Sequence, residues 1–431
     1  MKLRSLQRVG TLSASTLLLF GLLGSWQLAT TEAAMARPYS PAPVSPNPQT
    51  AMSQAGAINP KLVTANTRFG LKLFAQALKA DAGKNVFISP SSVAIALAMT
   101  YNGAKGETQQ AMAKALELQG LSLADVNQSN AVLISGLQKA DPAVEVAIAN
   151  SLWTRRGARL QREFLQRNQQ FYKAQITELD FSKPQAVSQI NGWVKEKTRG
   201  KINQIVDKVQ PNLALLLLNA VYFKGKWSQA FDAADTVARP FTLANGTRRQ
   251  HPMMTQTGEY DYYETDKFQA VSLPYGEGRF SLYLFVPKPQ SNLSSFYRDL
   301  TAANWEQWMN EFQNRPGSIQ VPKFKLEYDL NLNNALKALG MGVAFEGGRA
   351  DFSGIGLGNL AIDQVRHKTF IEVNEVGTEA AAATSVEMIV TSTQFSPTPF
   401  KLIADRPFFG AIRDNETGNL LFMGSITNPQ T

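Results

Sequence analysis

The chain has 431 residues, of which 44% are hydrophobic and 18% are charged, and it contains no cysteine. This composition is sufficient for a large core, and it excludes both a disulfide framework and a lipid anchor attached to cysteine. The formal net charge is +9, a surplus that can attract polyanions without establishing that the protein binds any.

The N-terminus has the three parts of a secretory signal. Three basic residues lie within the first eight positions, an apolar stretch too short to span a bilayer follows at 12–23, and Ala34-Met35-Ala36 is an A-x-A cleavage site. We therefore expect residues 1–36 to be a cleaved signal peptide and the mature protein to be secreted, into the periplasm or the medium. An uncleaved membrane anchor is the alternative that this pattern leaves open. The simple signal favours a bacterial source.

Residues 37–59 form a second region, with five prolines and few large apolar side chains. Such a composition is typical of a flexible, extended tether. Residues 60–431 contain neither an internal repeat nor a second linker, so we expect them to form one folded domain. Without residues 1–36, which carry three bases and one glutamate, the net charge is +7.

Four helical patterns precede residue 200. Asn66 is a candidate N-cap for the first helix. The second opens at Ser89-Pro90 and is apolar nearly all round, so it should be buried. The third begins at Thr108, and the fourth carries an apolar stripe that ends near Gly200, a residue type favoured just after helix C-termini.

The densest basic cluster in the sequence comprises Arg155, Arg156, Arg159, Arg162 and Arg167. Nothing in it indicates stacking on nucleic-acid bases. We interpret these arginines as a solvated face and predict no nucleic-acid partner.

Strand patterns dominate the second half of the chain. The run 213–223 is apolar except for Asn219, which predicts a central strand covered on both faces. Further strands are expected at 280–286, 318–326 and 369–373, and a hairpin at 408–413 and 420–426. Because helices come first and strands later, the predicted fold class is α+β.

The sequence offers little for catalysis. It has no G-x-S-x-G, H-E-x-x-H or phosphate-loop motif, and a Ser-His-Asp triad would need one of only two histidines, His251 and His367. His251 precedes an apolar stretch and His367 begins a strand, so both are interpreted as structural. The glycine-rich stretch 354–358 is interpreted as a turn. We predict that the protein is not an enzyme and uses no cofactor or metal.

One stretch, NEVGTEAAAATSVEMIVTST at 374–393, combines helix-forming alanines with β-branched residues. With a two-residue period, small or apolar side chains from Thr378 to Val390 fall on one face, and both glutamates after Gly377 fall on the other. This is the pattern of a strand with one buried face, which is unfavourable as an exposed edge. A segment with one conformation outside the body and another within a sheet would resolve the conflict.

The first part of this stretch, EVGTEAAAAT at 375–384, resembles the hinge of an inhibitory serpin. Other stretches resemble the same family in the same order: NVFISPSS at 85–92, LNAVYFKGKW at 218–227, PMM at 252–254, VPK at 321–323, DRPF at 405–408, LFMG at 421–424 and NP at 428–429. The resemblance covers roughly residues 60–430. It implies a serpin fold, with three β-sheets, a large central mixed sheet A, eight to nine helices and an exposed reactive-centre loop at about 377–396.

The resemblance also implies a function, suicide inhibition of serine proteases or of some cysteine proteases by a monomer with no membrane partner after signal cleavage. The protease would attack the loop and form an acyl-enzyme, and the cut loop would insert into sheet A before deacylation. The energy for insertion would be stored in a kinetically stable native state. A non-inhibitory serpin acting as a carrier, chaperone or storage protein is the alternative.

Small side chains in the hinge would keep the barrier to insertion low, because proline or an inward charge would interrupt the new strand. The hinge residues are Glu375, Gly377, Thr378, Glu379, Ala380, Ala381, Ala382, Ala383 and Thr384.

The spacing between the hinge and the cleaved bond in the family places the bond of this chain at Thr391–Ser392. An uncharged β-branched residue favours elastase-like or subtilisin-like proteases as targets. The distance from Thr391 to Pro407 is long for the family, which leaves a nearby bond open. The further options are Met388, Val390 and, for a chymotrypsin-like enzyme, Phe395.

Two supporting clusters follow from the resemblance. The shutter, polar residues beneath the opening of sheet A, comprises Ser89, Ser92, Asn219 and His367. Exchange of hydrogen-bond partners there would control the barrier to opening. The breach, an ion pair and a tryptophan at the top of the sheet, comprises Trp227, Lys323 and Glu375.

Overall fold

The computed structural model describes residues 58–138, 141–356, 359–378 and 398–431. They belong to one compact unit, residues 53–431. None of the helices in these ranges is long and apolar enough to cross a bilayer.

Nine α-helices occur in the described ranges: α1 (Pro60–Ala80), α2 (Pro90–Tyr101), α3 (Gly106–Ala115), α4 (Leu123–Gln138), α5 (Arg162–Tyr172), α6 (Gln185–Lys197), α7 (Leu293–Asp299), α8 (Ala302–Asn310) and α9 (Asn333–Leu336). Short 3₁₀ turns lie at Ala233–Asp235 and Gly342–Phe345, and a π turn at Lys337–Met341.

The predicted start of the first helix was wrong. The helix begins at Pro60, and the side chain of Asn59 accepts a hydrogen bond from the Lys61 N–H at 3.0 Å. Asn66 instead lies inside α1 and is buried. Proline at the first helical position fits the helix without losing a hydrogen bond, which makes Asn59-Pro60 the stronger start signal.

The buried second helix is confirmed, because all twelve residues of α2 are buried. Helix α2 contacts α1 on one side and strands of both sheets on others. Since it is enclosed all round, no polar face was needed in its sequence.

The described strands form two sheets. Their bounds are β1 (Val86–Ile88), β2 (Val144–Arg155), β3 (Gln175–Leu179), β4 (Leu215–Lys226), β5 (Val237–Thr242), β6 (Arg248–Glu264), β7 (Phe268–Tyr275), β8 (Phe280–Pro287), β9 (Gln313–Pro322), β10 (Phe324–Asn331), β11 (Gln364–Asn374), β12 (Gly377–Thr378), β13 (Phe400–Ile403), β14 (Phe408–Asp414) and β15 (Leu420–Ile426).

The first sheet has nine strands in the order β1-β15-β14-β8-β7-β6-β9-β13, with β5 also paired to β6. One part of this sheet ends at β7 and the other begins at β6. The two parts are joined only by the pairing of β6 with β7, which involves the three residues Tyr262–Glu264 of β6. The second sheet is mixed and has six strands in the order β10-β11-β12-β4-β2-β3. The α+β class and the large mixed sheet are confirmed. The resemblance implied three sheets, whereas the described strands form two, because the short pairing of β6 with β7 joins what would otherwise be separate sheets.

The predicted strand 318–326 is two strands, broken at Lys323. Strand β9 belongs to the nine-stranded sheet and β10 to the six-stranded sheet, so the chain changes sheets at this residue. Its N–H donates to the carbonyl of Pro252 at 3.0 Å. A change of sheet depends on contacts distant in sequence, and the apolar pattern alone does not contain it.

Two apolar clusters surround the six-stranded sheet. The larger is the main core, in which Phe223 of β4 packs edge-to-face on Tyr275 of β7 and Phe280 of β8. The smaller lies beneath α6, where Ile190 and Val194 join Leu218 and other side chains on the opposite face of β4. Both faces of the central strand are therefore covered, as its sequence predicted.

Candidate functional site

The six-stranded sheet is divided at one end by the beginning of the predicted loop. Strand β11 pairs in parallel with β4, residues Gln364–Phe370 against Leu216–Tyr222. Beyond Asn374 the chain turns and returns as β12, which pairs antiparallel with both β11 and β4. Gly377 and Thr378 therefore lie between the two strands.

Gly377 enters the sheet at a point where two backbones meet. Its φ is +153°, and a Cβ there would lie 2.0 Å from the carbonyl oxygen of Gly225 in β4. Gly225 is constrained in turn, because its own Cβ would lie 2.8 Å from the ring of Tyr275. Only glycine permits such an approach at position 377.

Thr378 is completely buried, and its hydroxyl lies 2.7 Å from that of Tyr275. The ring of Tyr275 is stacked on Trp227, with centroids 4.4 Å apart. Burial raises the pKa of Tyr275, which therefore stays neutral and able to form this hydrogen bond. The side chain of Thr378 thus faces the main core.

The three breach residues lie together at the turn before β12. Lys323 Nζ is 2.8 Å from Glu375 Oε2. Trp227 donates from Nε1 to the carbonyl of Asn374 at 2.9 Å and from its backbone N–H to that of Val376 at 3.0 Å. Partial burial works to raise the pKa of Glu375, but its hydrogen bonds and the charge of Lys323 outweigh burial and lower it.

The shutter residues also lie together, around the fully buried His367. Its Nε2 accepts a hydrogen bond from the backbone N–H of Ser89 at 3.0 Å, so Nε2 carries no proton. Its Nδ1 therefore donates to Asn219 Oδ1, 2.5 Å away. Burial lowers the pKa of His367 to about 3, which keeps the imidazole neutral.

Asn219 links this histidine to one further helix, α2, and one further strand, β2. Its Nδ2 donates to Ser92 Oγ, to the Ser92 carbonyl at 3.2 Å and to Asn150 Oδ1 at 2.6 Å. The network therefore spans β11, β4, α2 and β2. Because β11 and β4 pair directly at His367 and Asn219, separating them would break this contact.

Asn150 and Tyr275 were missed by the sequence reasoning. Asn150 had a detectable signal, since it is a polar residue within the otherwise mostly apolar strand β2, as Asn219 is within β4. Tyr275 had none, because its contact with Thr378 joins residues far apart in sequence.

Several predicted residues lie outside the described part of the chain. They are the hinge residues Glu379, Ala380, Ala381, Ala382, Ala383 and Thr384, and the reactive bond Thr391–Ser392.

The other histidine and the basic cluster lie in separate surroundings. His251 donates from Nε2 to the carbonyl of Lys323 at 2.5 Å, and burial lowers its pKa. Arg155 and Arg156 are exposed at the end of β2, whereas Arg167 donates to the carbonyl of Asn102. Within the described ranges, no group of three or more histidine or acidic side chains could hold a metal ion.

Comparisons with known proteins agree on one family. The family model for serpins, serine protease inhibitors, matches residues 64–429. An uncharacterized serpin-like protein, TK1782, of Thermococcus kodakarensis is 39% identical over 349 residues, covering 80% of this chain and 81% of the relative. The crystal structure of a thermophilic serpin, tengpin, in the native state matches with a TM-score of 0.80 and 33% identity, covering 86% of this chain and 95% of tengpin. Thyroxine-binding globulin in complex with thyroxine matches with a TM-score of 0.78 and 26% identity, covering 86% of this chain and all of that one (100%).

Proposed function

Because the chain belongs to the serpin family, we propose that it inhibits serine-type endopeptidases as a suicide substrate. A protease cleaves the loop at about 377–396, with Thr391–Ser392 as the first-choice bond, and becomes joined to the loop as an acyl-enzyme. The cleaved loop then inserts between β11 and β4 before the ester is hydrolysed. The protein is thus a protease inhibitor and not an enzyme.

The observation that carries this proposal is the position of β12. Two hinge residues already pair with both strands that would have to separate. Continuing the same register would place Ala382 between Thr369 of β11 and Val221 of β4. It would place Thr384 between His367 and Asn219, where its hydroxyl can replace the contact that insertion breaks.

The same register predicts which side chains would be buried. Thr378 faces the main core, so every second residue after it would do so too. These residues are Ala380, Ala382, Thr384, Val386, Met388 and Val390, and none is charged. On the opposite face, Glu379 would lie between Glu372 of β11 and Lys224 of β4, so it would have one like and one opposite charge beside it, both at partly exposed positions.

Small side chains are also favourable on that opposite face. Ala381 would lie between Phe370 and Tyr222, which belong to the cluster beneath α6. Helix α6 covers this face of the sheet and has to shift as a new strand enters. A larger residue at position 381 would collide with the covered cluster, which supports the role of the alanine tract.

Insertion would release free energy because loop backbone groups become paired in a ladder on both sides. It also replaces the parallel pairing of β11 and β4 with antiparallel pairing, which is slightly more stable per residue. The barrier would consist of the His367–Asn219 contact and the packing of α6. A native state held by such a barrier is kinetically stable.

The target class follows from the residue before the cleaved bond. Threonine is small and uncharged, which supports elastase-like or subtilisin-like serine proteases, with a cysteine protease as a second class. Cleavage at Phe395 by a chymotrypsin-like enzyme, or at Met388 or Val390, remains part of the proposal. The inhibitor acts as a secreted monomer after removal of residues 1–36. The tether, predicted at 37–59, ends before Ile58, because Ile58 packs against the main core and Asn59 caps α1.

A ligand carrier is the second candidate, because the thyroxine-binding relative has the same fold. The uncharged inward face of the hinge supports the inhibitor instead. The test is to incubate residues 37–431 with elastase-, subtilisin-, chymotrypsin- and trypsin-like proteases. A protease–inhibitor band that survives denaturation, with a released peptide starting at Ser392, supports inhibition. Loop cleavage that leaves every protease active would support the carrier.

A further inference from the structure

One carboxylate fastens the lower ends of β4 and β11, just below the last pair of their ladder, Gln364 with Leu216. Asp363 Oδ2 accepts hydrogen bonds from the backbone N–H groups of Ala214 at 2.6 Å and Leu215 at 3.3 Å. The N–H of Asp363 donates to the carbonyl of Leu215 at 3.3 Å. These three hydrogen bonds, which join Asp363 to the beginning of β4, are called the clasp below.

Helix α9 holds the clasp from the β11 side. Asn333 Nδ2 donates to the carbonyl of Asp363 at 2.6 Å, and Asn333 Oδ1 accepts from the N–H of Val365 at 2.9 Å. The backbone is therefore fixed on both sides of Gln364. Hydrogen bonds to a charged carboxylate are stronger than those to a neutral acceptor. Because Asp363 is exposed, water can replace the clasp in a variant, so the fold should tolerate its loss.

Space for a further strand is present directly below the clasp. A cavity of about 520 Å³ is lined by Asp363, by Asn212 and Leu213 before β4, and by Gln364 of β11. The register of β12 would bring position 388 between Asp363 and Leu215, and position 390 beside Leu213. The clasp thus lies across the path of a strand that extends from β12 towards this cavity.

A strand at this level and a closed clasp exclude each other. Neighbouring strands lie about 4.8 Å apart, so one inserted strand increases the separation of β4 from β11 to roughly 9.6 Å. The short side chain of Asp363 cannot reach the N–H groups of Ala214 and Leu215 across that separation. A strand that ends several residues higher would leave β4 and β11 in contact at their lower ends.

We propose that Asp363 is a positioning residue that sets how deeply the cleaved loop inserts. A loop that has entered as far as position 383 leaves the clasp closed, whereas a loop cleaved after Thr391 has to break it to enter fully. The clasp stabilises the native sheet and adds to the barrier for the final part of insertion, after the His367–Asn219 contact has opened. This inference rests on the proposed function, because it concerns the extent of the same insertion.

The test is the effect of Asp363→Ala on the thermal midpoint of three forms of residues 37–431. They are the uncleaved protein, the protein cleaved after Thr391, and the Thr384→Arg variant cleaved at the same bond. Thr384→Arg places an inward charge at the level of His367, so its loop should stop above the clasp. Asp363→Ala should lower the midpoint of the first and third forms by roughly 2–4 °C and leave the second unchanged. Asp363→Asn, which keeps an acceptor oxygen, should lower them less.

The matched control is Asp125→Ala, at the exposed start of α4. Asp125 also accepts two hydrogen bonds, from the N–H of Ser122 at 3.1 Å and from its hydroxyl at 2.6 Å, and insertion leaves both intact. Its effect should be the same in all three forms. An equal effect of Asp363→Ala on the three forms, or no effect on any, would overturn the clasp alone. If cleavage of the parent does not raise its midpoint, insertion itself is wrong, so the two failures are distinguishable.

Discussion

Gly377 of the hinge and Gly225 of β4 meet backbone to backbone, with room for no side chain on Gly377. The hinge can therefore enter the sheet only if position 377 is glycine. We predict that Gly377→Ala prevents this entry, because its Cβ would lie 2.0 Å from a carbonyl oxygen. In a denaturing gel, the variant should give mostly cleaved loop and little covalent complex.

The matched control is Gly192→Ala, at an exposed helical position where no atom lies within 4 Å. It should raise the free energy of unfolding by about 0.5–1 kcal/mol without affecting complex formation. If Gly377→Ala traps protease as well as this control does, the backbone contact is not limiting.

Thr378 is the first inward-facing side chain of the hinge, and its burial predicts a strong effect of charge. Thr378→Arg would bring an unpaired charge against Tyr275 and the main core, which is severely unfavourable. The variant should be cleaved at the normal rate while the protease stays active. Thr378→Ser keeps the hydroxyl and should trap protease like the parent. Equal trapping by the arginine variant would mean that position 378 is not buried during inhibition.

The Lys323–Glu375 pair secures the turn before β12, and its loss should loosen the top of the sheet. Glu375→Lys removes charged hydrogen bonds from a partly buried site and adds repulsion, at a cost of about 1–3 kcal/mol. Native gels should show polymers after mild heating. The exchanged pair Lys323→Glu with Glu375→Lys should restore part of the monomer. A single variant that remains monomeric on heating would count against this role.

The buried His367 predicts loss of stability in acid. Its pKa falls from an ordinary value near 6.5 to about 3 on folding, so the neutral imidazole is required. The stability that this group contributes is complete above about pH 6.5 and is lost as the pH falls towards 3. Each pH unit in this window costs up to about 1.4 kcal/mol.

The measurement for this prediction is the free energy of unfolding, or the rate of polymer formation, from pH 7 to 5. His367→Gln cannot be protonated, so its values should change little over this range, where most carboxylates are still ionised. Parallel pH profiles for the parent and the variant would show that the histidine is not responsible.

The parts of the fold that depend on local pattern could be predicted from the sequence. The apolar run at 213–223 predicted the covered strand β4, and the run after Ser89 predicted the fully buried helix α2. Local capping signals were harder to rank, since Asn59-Pro60 and Asn66 both precede apolar stripes. Only packing decides which asparagine faces solvent and which is buried.

Features that depend on distant contacts could not be predicted from the same patterns. The break at Lys323 follows from a change of sheet, and Tyr275 reaches Thr378 from another strand. The resemblance to the family did supply pairs such as Lys323 and Glu375, which local pattern could not. The close approach of Gly377 to Gly225 could not be predicted either, because it depends on the distance between two backbones that are far apart in sequence.

The central claim is that the loop becomes a strand between β11 and β4, and the thermal midpoint of the cleaved protein tests it most directly. The loop would be cut by a protease that does not remain bound, and the midpoints before and after would be compared. About a dozen newly paired residues, at about 0.5–1.5 kcal/mol per hydrogen bond, should raise the midpoint by at least roughly 10 °C. In the Thr378→Arg variant, cleavage of the loop should not raise the thermal midpoint. An unchanged midpoint in the cleaved parent would contradict insertion.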